Sequence, residues 1–272
     1  MKKIVVMLSM CMLINPLLSV HATTTHKKHH KKKHVHAVEK EYKEAAPAPA
    51  TPTPAVSSWL DNLSGNFDFT SNYVFRGLSQ TSNLPAAQGS LTYALPLGFY
   101  LNSWGSNVKF NDPQGRQATV ELDTIAGIRN SIGNNFIAYD INLARYNYPG
   151  ARGATYNEFN TLWTYKIFQL GISYSGNSFG YHDTGMYYNG TVTFNIPSQY
   201  AFHVQDLSLA GEFGHSSLSR AAGNSYNDYS VTLTKILNKT YTIAAQWTST
   251  NGRQHNAPLD GSEINGTVTA NF

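Results

Sequence analysis

Eight acidic side chains fall on one side of an alternating polar and apolar pattern that runs through most of this chain. Together with one base of the same parity, they are Asp68, Glu121, Asp123, Arg129, Asp140, Glu158, Glu212, Asp228 and Glu263. Because side chains alternate across a β-strand, residues of one parity share one face. If that face lines a channel, the excess of carboxylates attracts cations. The alternative is a filled interior in which the carboxylates accept hydrogen bonds from Asn, Thr and Tyr neighbours.

The segment "HKKHHKKKHVH" is a second candidate for chemistry, because imidazoles at this density can bind Zn, Cu or Ni. The histidines are His26, His29, His30, His34 and His36. Five lysines among them repel metal cations, and no spacing pre-forms a site. We therefore favour a basic tether attracted to anionic polymers of the cell envelope, and we predict no cofactor.

A lipid hydrolase is the rival class, and it would need a Ser, a His and a third polar group close together. Of the four histidines in residues 58–272, only His215 has adjacent serines, Ser216 and Ser217. Adjacent residues of a strand point to opposite faces, and no nucleophile-elbow sequence occurs. We therefore predict that the chain is not an enzyme.

The elements that must position the carboxylates are predicted to be strands. In "FQLGISY", Phe168, Leu170 and Ile172 share one face, the period expected of a strand with one apolar side. In "ATVELDTIAGI", the even positions from Ala118 are expected on the apolar face. Twelve such segments centre near residues 69, 91, 102, 122, 140, 160, 171, 191, 210, 231, 245 and 267. At about 18 residues per strand and connection, this spacing fits tilted membrane strands of roughly 10 residues.

The connections alternate between short ones, such as "LPLG" and "KI", and long ones, such as "NVKFNDPQGRQ" and "HSSLSRAAGNS". Residues 197–206 break the rule, because they are long on the short-turn side. Aromatic residues at predicted strand ends suit interfacial girdles: Tyr73, Phe75, Tyr93, Phe99, Trp163, Tyr165, Phe194, Tyr241 and Trp247. Only 13% of residues are charged, against about 25% in typical soluble chains. An all-β, antiparallel transmembrane β-barrel of about twelve strands, with short periplasmic turns and longer outer loops, is favoured over a soluble β-sandwich.

Residues 1–22 have the features of a signal peptide: a basic start, an apolar run and a small residue at Ala22. The only cysteine, Cys11, lies in this run. Residues 23–57, rich in His and Lys and then in Ala and Pro, are expected to form a disordered periplasmic linker. The basic balance lies outside residues 58–272, which contain 11 Lys and Arg against 13 Asp and Glu. We therefore predict no nucleic-acid partner.

The segment "INGTVTANF" predicts a final strand with Ile264, Val268 and Phe272 on its outer face. A closed barrel has no free edge, so this strand must pair with the first. The segment resembles the C-terminal strand of bacterial outer-membrane proteins, which ends in an aromatic residue. That resemblance implies that the barrel-insertion machinery recognises the Phe272 terminus.

Longer stretches resemble a family. The motifs "FTSNYVFRGLSQTSNLPAAQGSLTY", "GFYLNSWGSNV", "VELDTIAGIR" and "YNYPG" are similar to those of the proteobacterial porin family known as TorF or Gcw_chp, over roughly residues 62–272. The resemblance implies an outer-membrane β-barrel, and it says more about location and architecture than about the solute.

Two arginines have their own predictions. In "VFRGLSQ", Arg76 and Gly77 stand at the top of the first strand. They either belong to a loop that folds into the pore mouth, with Arg76 paired to a lumen acid, or form a simple turn with Gly77 at a special backbone angle. We favour the simple turn. Arg145 shares the parity of Ile141 and Leu143, so it is expected to point outward at the outer rim unless a bulge resets the register.

The sequence as a whole predicts a porin in the outer membrane, with its N-terminal tail in the periplasm and outer-membrane lipid and lipopolysaccharide around it. It would give passive passage to small polar solutes, with a preference for cations. The alternative is a structural or lipid-modifying barrel with a plugged lumen.

A chain from which residues 23–57 are deleted should still fold and insert, because that segment has too few apolar residues to contribute to a core. Folding can be measured on the protein extracted from membranes, because a folded barrel and its heat-denatured form migrate differently in gel electrophoresis. Loss of the folded band, with export unchanged, would show that the segment is not merely a tether.

Overall fold

The chain folds into a closed barrel with a small hairpin inside it. The computed structural model describes residues 59–220, 223–251 and 261–272. The predicted signal peptide and linker, with all five clustered histidines, lie outside the described residues. The strands are β1 Leu63–Thr70, β2 Val74–Phe75, β3 Leu78–Ser79, β4 Ala86–Ala94, β5 Phe99–Asn111, β6 Gln117–Ile132, β7 Ile137–Asn147, β8 Tyr156–Tyr165, β9 Phe168–Ser175, β10 Gly185–Ile196, β11 Leu207–Leu218, β12 Tyr226–Ile236, β13 Tyr241–Thr250 and β14 Ser262–Asn271.

The wall consists of β1 and β4 to β14, each antiparallel to its neighbours. All twelve predicted strand centres fall within these wall strands. Large apolar side chains such as Phe168 and Leu170 are exposed on the outer face, while the intervening Gln169 is shielded inside. A soluble monomer rarely exposes contiguous apolar surface of this extent. The prediction of a twelve-stranded transmembrane barrel is confirmed. Among the described residues, no helix is both long and apolar enough to cross a membrane.

The barrel closes where β1 pairs with β14, from Asn66 opposite Asn271 to Thr70 opposite Thr267. Beyond this ladder, the backbone N–H and C=O of Phe272 bond to Gly65 at 3.0 Å each. The Phe272 ring lies against Phe67, with 5.7 Å between centroids. The final residue therefore completes the seam, as the alternation in the last segment predicts.

A register shift in the β5–β6 ladder corrects one prediction. Between Asn107 and Phe110 the pairing slips, as a β-bulge produces. Ala118 consequently lies on the shielded inner side and not on the apolar outer face. The same pair of strands also extends further than expected, so only residues 112–116 remain as the connection; the prediction of a long loop here was wrong.

The two rims differ in their connections. Residues 95–98, 133–136, 166–167 and 237–240 are short turns on the rim that also holds the ends of β1 and β14. Residues 197–206 are the long exception on this rim, as predicted. The opposite rim carries residues 71–85, 148–155 and 176–184, which are longer, together with the ends of β11, β12, β13 and β14 that face it.

Residues 71–85 do not extend away from the barrel but fold into it. They contain β2 and β3, joined by Arg76 and Gly77, which both have positive φ, as a two-residue type I′ hairpin requires. Tyr73 and Phe75 are shielded by the barrel interior. Their assignment to an interfacial girdle was therefore wrong, because these aromatic rings pack within the lumen and not against lipid. We call residues 71–85 the inner hairpin.

Gly65 at the seam has no room for a side chain. A Cβ placed there would clash with the backbone oxygen of Ser90 and lie 2.6 Å from the Phe272 ring. Gly65→Ala should therefore destabilise the folded barrel by about 1–3 kcal/mol, measured by urea unfolding in micelles.

The matched control is Gly211→Ala on β11, since a Cβ there would meet nothing within 4 Å. Equal stability of the two variants would contradict the seam packing described here.

Candidate functional site in the barrel lumen

The inner hairpin lies within the lumen and contacts several of the surrounding wall strands. At its base, the N–H of Ser71 donates to the backbone oxygen of Gly266 on β14 at 2.9 Å, and the Asn72 amide donates to Glu263. At its tip, a Cβ built on Gly77 would lie 2.7 Å from that of Asp228 on β12 and 3.0 Å from that of Thr250 on β13. The outer half of the lumen is therefore occupied by the protein's own chain.

The tip is held by an ion pair between Arg76 and Glu158 on β8. Both guanidinium Nη atoms donate to the two carboxylate oxygens at 2.9 Å, the fork geometry that makes such pairs strong. The guanidinium also lies 4.5 Å from the Phe75 ring centroid and 4.2 Å from that of Tyr187 on β10. The side chains of Arg76 and Glu158 are only 8% and 3% exposed, so solvent screens their attraction weakly.

This arrangement corrects the simple-turn interpretation of "VFRGLSQ". Gly77 does have the special backbone angle, with φ of +75°. The turn, however, lies inside the lumen with Arg76 paired to an acid. The alternating pattern correctly predicts that Glu158 faces the interior. The segment around Arg76 is too short to show a periodicity, so the sequence does not indicate that it folds inward.

A second acidic group lies beside the hairpin on β6. Glu121 accepts hydrogen bonds from the Tyr73 hydroxyl at 3.1 Å and from the Tyr148 hydroxyl at 2.6 Å. Asp123, on the same face two residues on, is 2% exposed. One of its carboxylate oxygens has no hydrogen-bond partner among the described residues. Neither carboxylate forms an ion pair with a described cation.

The side chains toward the short-turn rim are smaller and polar. Arg129 Nε donates to Asp140 at 2.6 Å, directly across the β6–β7 ladder. The Tyr100 hydroxyl also donates to Asp140, at 2.8 Å, and the Arg129 guanidinium lies 4.0 Å from the Tyr100 ring centroid. Other shielded inner residues here are Thr92, Asn102, Asn142, Asn160, Gln169, Thr193, Thr232, Thr242, Thr269 and Asn271.

Three further inner acids form hydrogen bonds but no ion pair. Glu212 accepts from the Thr191 hydroxyl at 2.8 Å and from the Asn189 amide at 3.3 Å. Asp228 accepts from the Tyr187 hydroxyl at 3.1 Å, and Asp68 accepts from the amide of Asn66. All the acids of the predicted set thus lie on the inner side of the wall, and their role in a pore stays a prediction.

A cavity of about 70 Å³ lies on the outer side of the inner hairpin. Its aromatic lining consists of Phe75, Phe110, Tyr148, Tyr156, Phe179 and Tyr181. At its edge, Asp112 accepts from the N–H groups of Gln114 and Arg116 at 2.9 and 2.8 Å and from Arg116 Nε at 2.8 Å. Desolvation acts to raise the pKa of Asp112, but these hydrogen bonds and the nearby positive charge outweigh it and lower that pKa.

The residues considered for other chemistry are not brought together. His215 on β11 contacts the Asn227 side chain at 2.7 Å, whereas Ser216 is shielded on the opposite, inner face. Arg145 points outward, as predicted, and donates to the side chains of Asn147 and Asn157. In the described part of the chain, no three His, Cys, Asp or Glu side chains are grouped to hold a metal ion.

Comparisons with known proteins agree with this architecture. The model of a bacterial family of unknown function, Gcw_chp, matches residues 55–269. No curated protein sequence gives a significant match. A solved KdgM porin aligns with a TM-score of 0.50 and 8% identity, over 77% of this chain and 99% of that chain. At this identity the likeness shows the barrel fold alone.

Two other solved structures align less closely. A NanC porin gives a TM-score of 0.47 and 11% identity over 77% of this chain and 98% of that chain. OprD of Pseudomonas aeruginosa gives a TM-score of 0.38 and 12% identity over 79% of this chain and 68% of that chain.

The lowered pKa of Asp112 makes a pH prediction for the outer rim. The ionised carboxylate stabilises the 112–116 turn above the unfolded pKa of about 3.9, and this stabilisation is lost as the pH falls through the folded pKa. The N–H groups of Gln114, Arg116 and Gly153 all donate to this carboxylate. Asp112→Ala should therefore lower the protection factors of these three amides, which compare each exchange rate with its intrinsic rate at the same pH. Acidification of the wild type through the folded pKa should lower the same protection factors. Asn111→Ala is the control, and equal exchange in both variants would contradict the role of the carboxylate.

Proposed function

The chain belongs to the bacterial Gcw_chp family, whose function is unknown, and we propose that it is a porin that gives passive passage to small polar solutes, with a preference for cations. The main observation that supports this proposal is the charge of the inner face. Eight carboxylates and two guanidiniums, those of Arg76 and Arg129, face the interior of a barrel whose outer face is apolar.

The excess of inner carboxylates over guanidiniums favours cations. Each guanidinium is already paired with one carboxylate, so the other inner carboxylates have no cationic partner in the described part of the chain. Arg76 is paired with Glu158 and Arg129 with Asp140. The remaining six carboxylates have only neutral donors among the described residues, so their negative charge is uncompensated where they are ionised. Fixed negative charge in a narrow lumen with low-dielectric walls raises the local concentration of cations.

The wall toward the short-turn rim supports passage of polar solutes. Its shielded side chains are mostly Thr, Asn and Gln. Their hydroxyl and amide groups both donate and accept hydrogen bonds, so they can replace part of a solute's hydration shell. No apolar belt interrupts this lining among the described inner residues of that half.

We place the protein in the cell outer membrane, with the short-turn rim and the N-terminal tail in the periplasm. The apolar outer face and the exposed aromatic residues Phe99, Phe194 and Tyr241 near the short-turn rim support contact with lipid. On this orientation the longer loops face lipopolysaccharide. The barrel-insertion machinery would recognise the strand that ends at Phe272.

The inner hairpin favours a second candidate, a structural barrel with a plugged lumen. Tyr73, Phe75 and Leu78 are as well shielded from solvent as residues of a soluble core. A lipid-modifying activity has no such support, since His215 and Ser216 lie on opposite faces of β11. A measurement of ion conductance distinguishes an open pore from a plugged barrel.

The full-length chain, purified from membranes and inserted into a planar bilayer, should give discrete conductance steps and a reversal potential of cationic sign in a salt gradient. The double variant Asp68→Asn with Glu212→Gln should weaken the cation preference by roughly a third, because two of the six uncompensated carboxylates lose their charge. Neither acid is ion-paired with a guanidinium, since Arg76 pairs with Glu158 and Arg129 with Asp140, and the amides preserve the side-chain shape.

The matched control is Arg145→Gln, which removes a charge from the outer face. Folded, inserted protein that stays silent would support the plugged barrel. Steps with unchanged selectivity in the double variant would contradict the assignment of Asp68 and Glu212 to the conduction path.

A further inference from the structure

We propose that the inner hairpin is the gate of this pore and that Arg76 both latches the gate and sets the selectivity of the open state. The inference rests on the proposed pore function and adds to it a moving part and a determinant of specificity. It is drawn from how the hairpin is attached, how the wall is built around it, and where the charges lie.

The hairpin is attached to the wall mainly by side chains. Its two strands pair only with each other, through Val74 opposite Ser79 and Phe75 opposite Leu78. Backbone bonds to the wall occur at its two ends, at Ser71 and at Gln80, whose carbonyl accepts from the Lys109 N–H at 2.7 Å. A two-stranded hairpin of this size is marginal without other contacts. The ion pair and ring contacts of Arg76 therefore fix the position of the tip, together with the packing of the Phe75 ring against Tyr146 and Phe179.

The wall does not need the hairpin in order to close. β1 pairs with β4 along its whole length, and the ladder ends at Thr70 opposite Ala86. The entire inner hairpin is inserted between these two partner residues. Its tip can therefore leave the lumen without breaking any strand pair of the barrel.

Withdrawal of the tip changes the charge of the lumen. In the closed arrangement, the Arg76 guanidinium neutralises Glu158, and the Gly77 turn covers Asp228. Glu212 lies on β11, next to the strand β12 that bears Asp228, and its direct partner on β12 is Ser230. Removal of Arg76 would expose Glu158 and Asp228 to the path and leave Arg129 as the single inner cation of the described wall. The open state is therefore more selective for cations than a lumen that still contains Arg76.

The latch is tested by charge reversal. Arg76→Glu places a carboxylate against Glu158 and should shorten the closed time of single channels by about tenfold, because the closed state loses one strong charge-assisted contact. The exchanged pair, Arg76→Glu with Glu158→Arg, should restore most of the closed time. Failure of the exchanged pair to restore closure, with both proteins folded, would overturn the latch.

The gate is tested by a tether. Arg76 and Glu158 already join the tip to β8, so these two positions can carry a covalent tether. Arg76→Cys with Glu158→Cys, in a chain with Cys11→Ser, should be silent when a bis-thiol-reactive linker joins the two cysteines and should conduct when left unlinked. The control pair, Ser249→Cys with Ser262→Cys, joins two wall residues whose hydroxyls lie 2.9 Å apart, and the linker should not change its conductance.

A deletion separates failure of the gate from failure of the pore. Replacement of residues 71–85 by Asn-Gly joins Thr70 to Ala86 through a two-residue turn. It should give a permanently open pore with a stronger cation preference than the wild type. If the deletion variant conducts but the linked tether variant conducts equally well, the proposed pore is retained and the proposed gate is overturned. If the folded deletion variant is silent, the proposed pore function and the gate both fail.

Discussion

Every backbone polar group within a membrane must find its hydrogen-bond partner in the protein, because the hydrocarbon offers none. A sheet meets this condition only when it closes on itself. The last residues of the chain meet it here, since the N–H and C=O of Phe272 bond to Gly65 next to the β1–β14 ladder. Closure then separates the two faces of every strand, so that one face, mainly apolar, meets lipid and the other, mainly polar, lines a shared interior.

This separation also explains why the interior is crowded. A barrel of twelve strands is only modestly wider than the eight-stranded barrels that side chains fill alone. Toward the short-turn rim, Thr and Asn side chains occupy the space. Toward the other rim, the wall bears Trp104, Tyr146 and Tyr156 together with acids, and the inner hairpin supplies Tyr73, Phe75 and the Arg76 charge that these groups require.

Features that arise from alternation could be predicted from the sequence, whereas most features that depend on non-local packing could not. Strand number, strand centres and the inner position of Glu121, Asp123 and Glu158 all result from a period of two, which is a local signal. The bulge near Ala118 has no such signal, because a one-residue slip becomes visible only when the partner strand is known. The inner hairpin was missed for a related reason: its strands have two residues each, too few to show a period, and its burial depends on distant aromatic residues.

The two ion pairs of the lumen show how attachment decides what one kind of contact can do. Arg129 and Asp140 are direct partners in the β6–β7 ladder, so the backbone already holds them together and their ion pair braces a fixed wall. Arg76 and Glu158 are joined by no ladder, and their ion pair bridges the hairpin and the wall. Breaking a shielded pair leaves an uncompensated charge, which is strongly unfavourable, unless the freed groups reach water. In the first pair the ladder keeps both charges inside, whereas in the second the hairpin can carry Arg76 out of the lumen. The same chemistry therefore acts as a brace in one place and as a latch in the other.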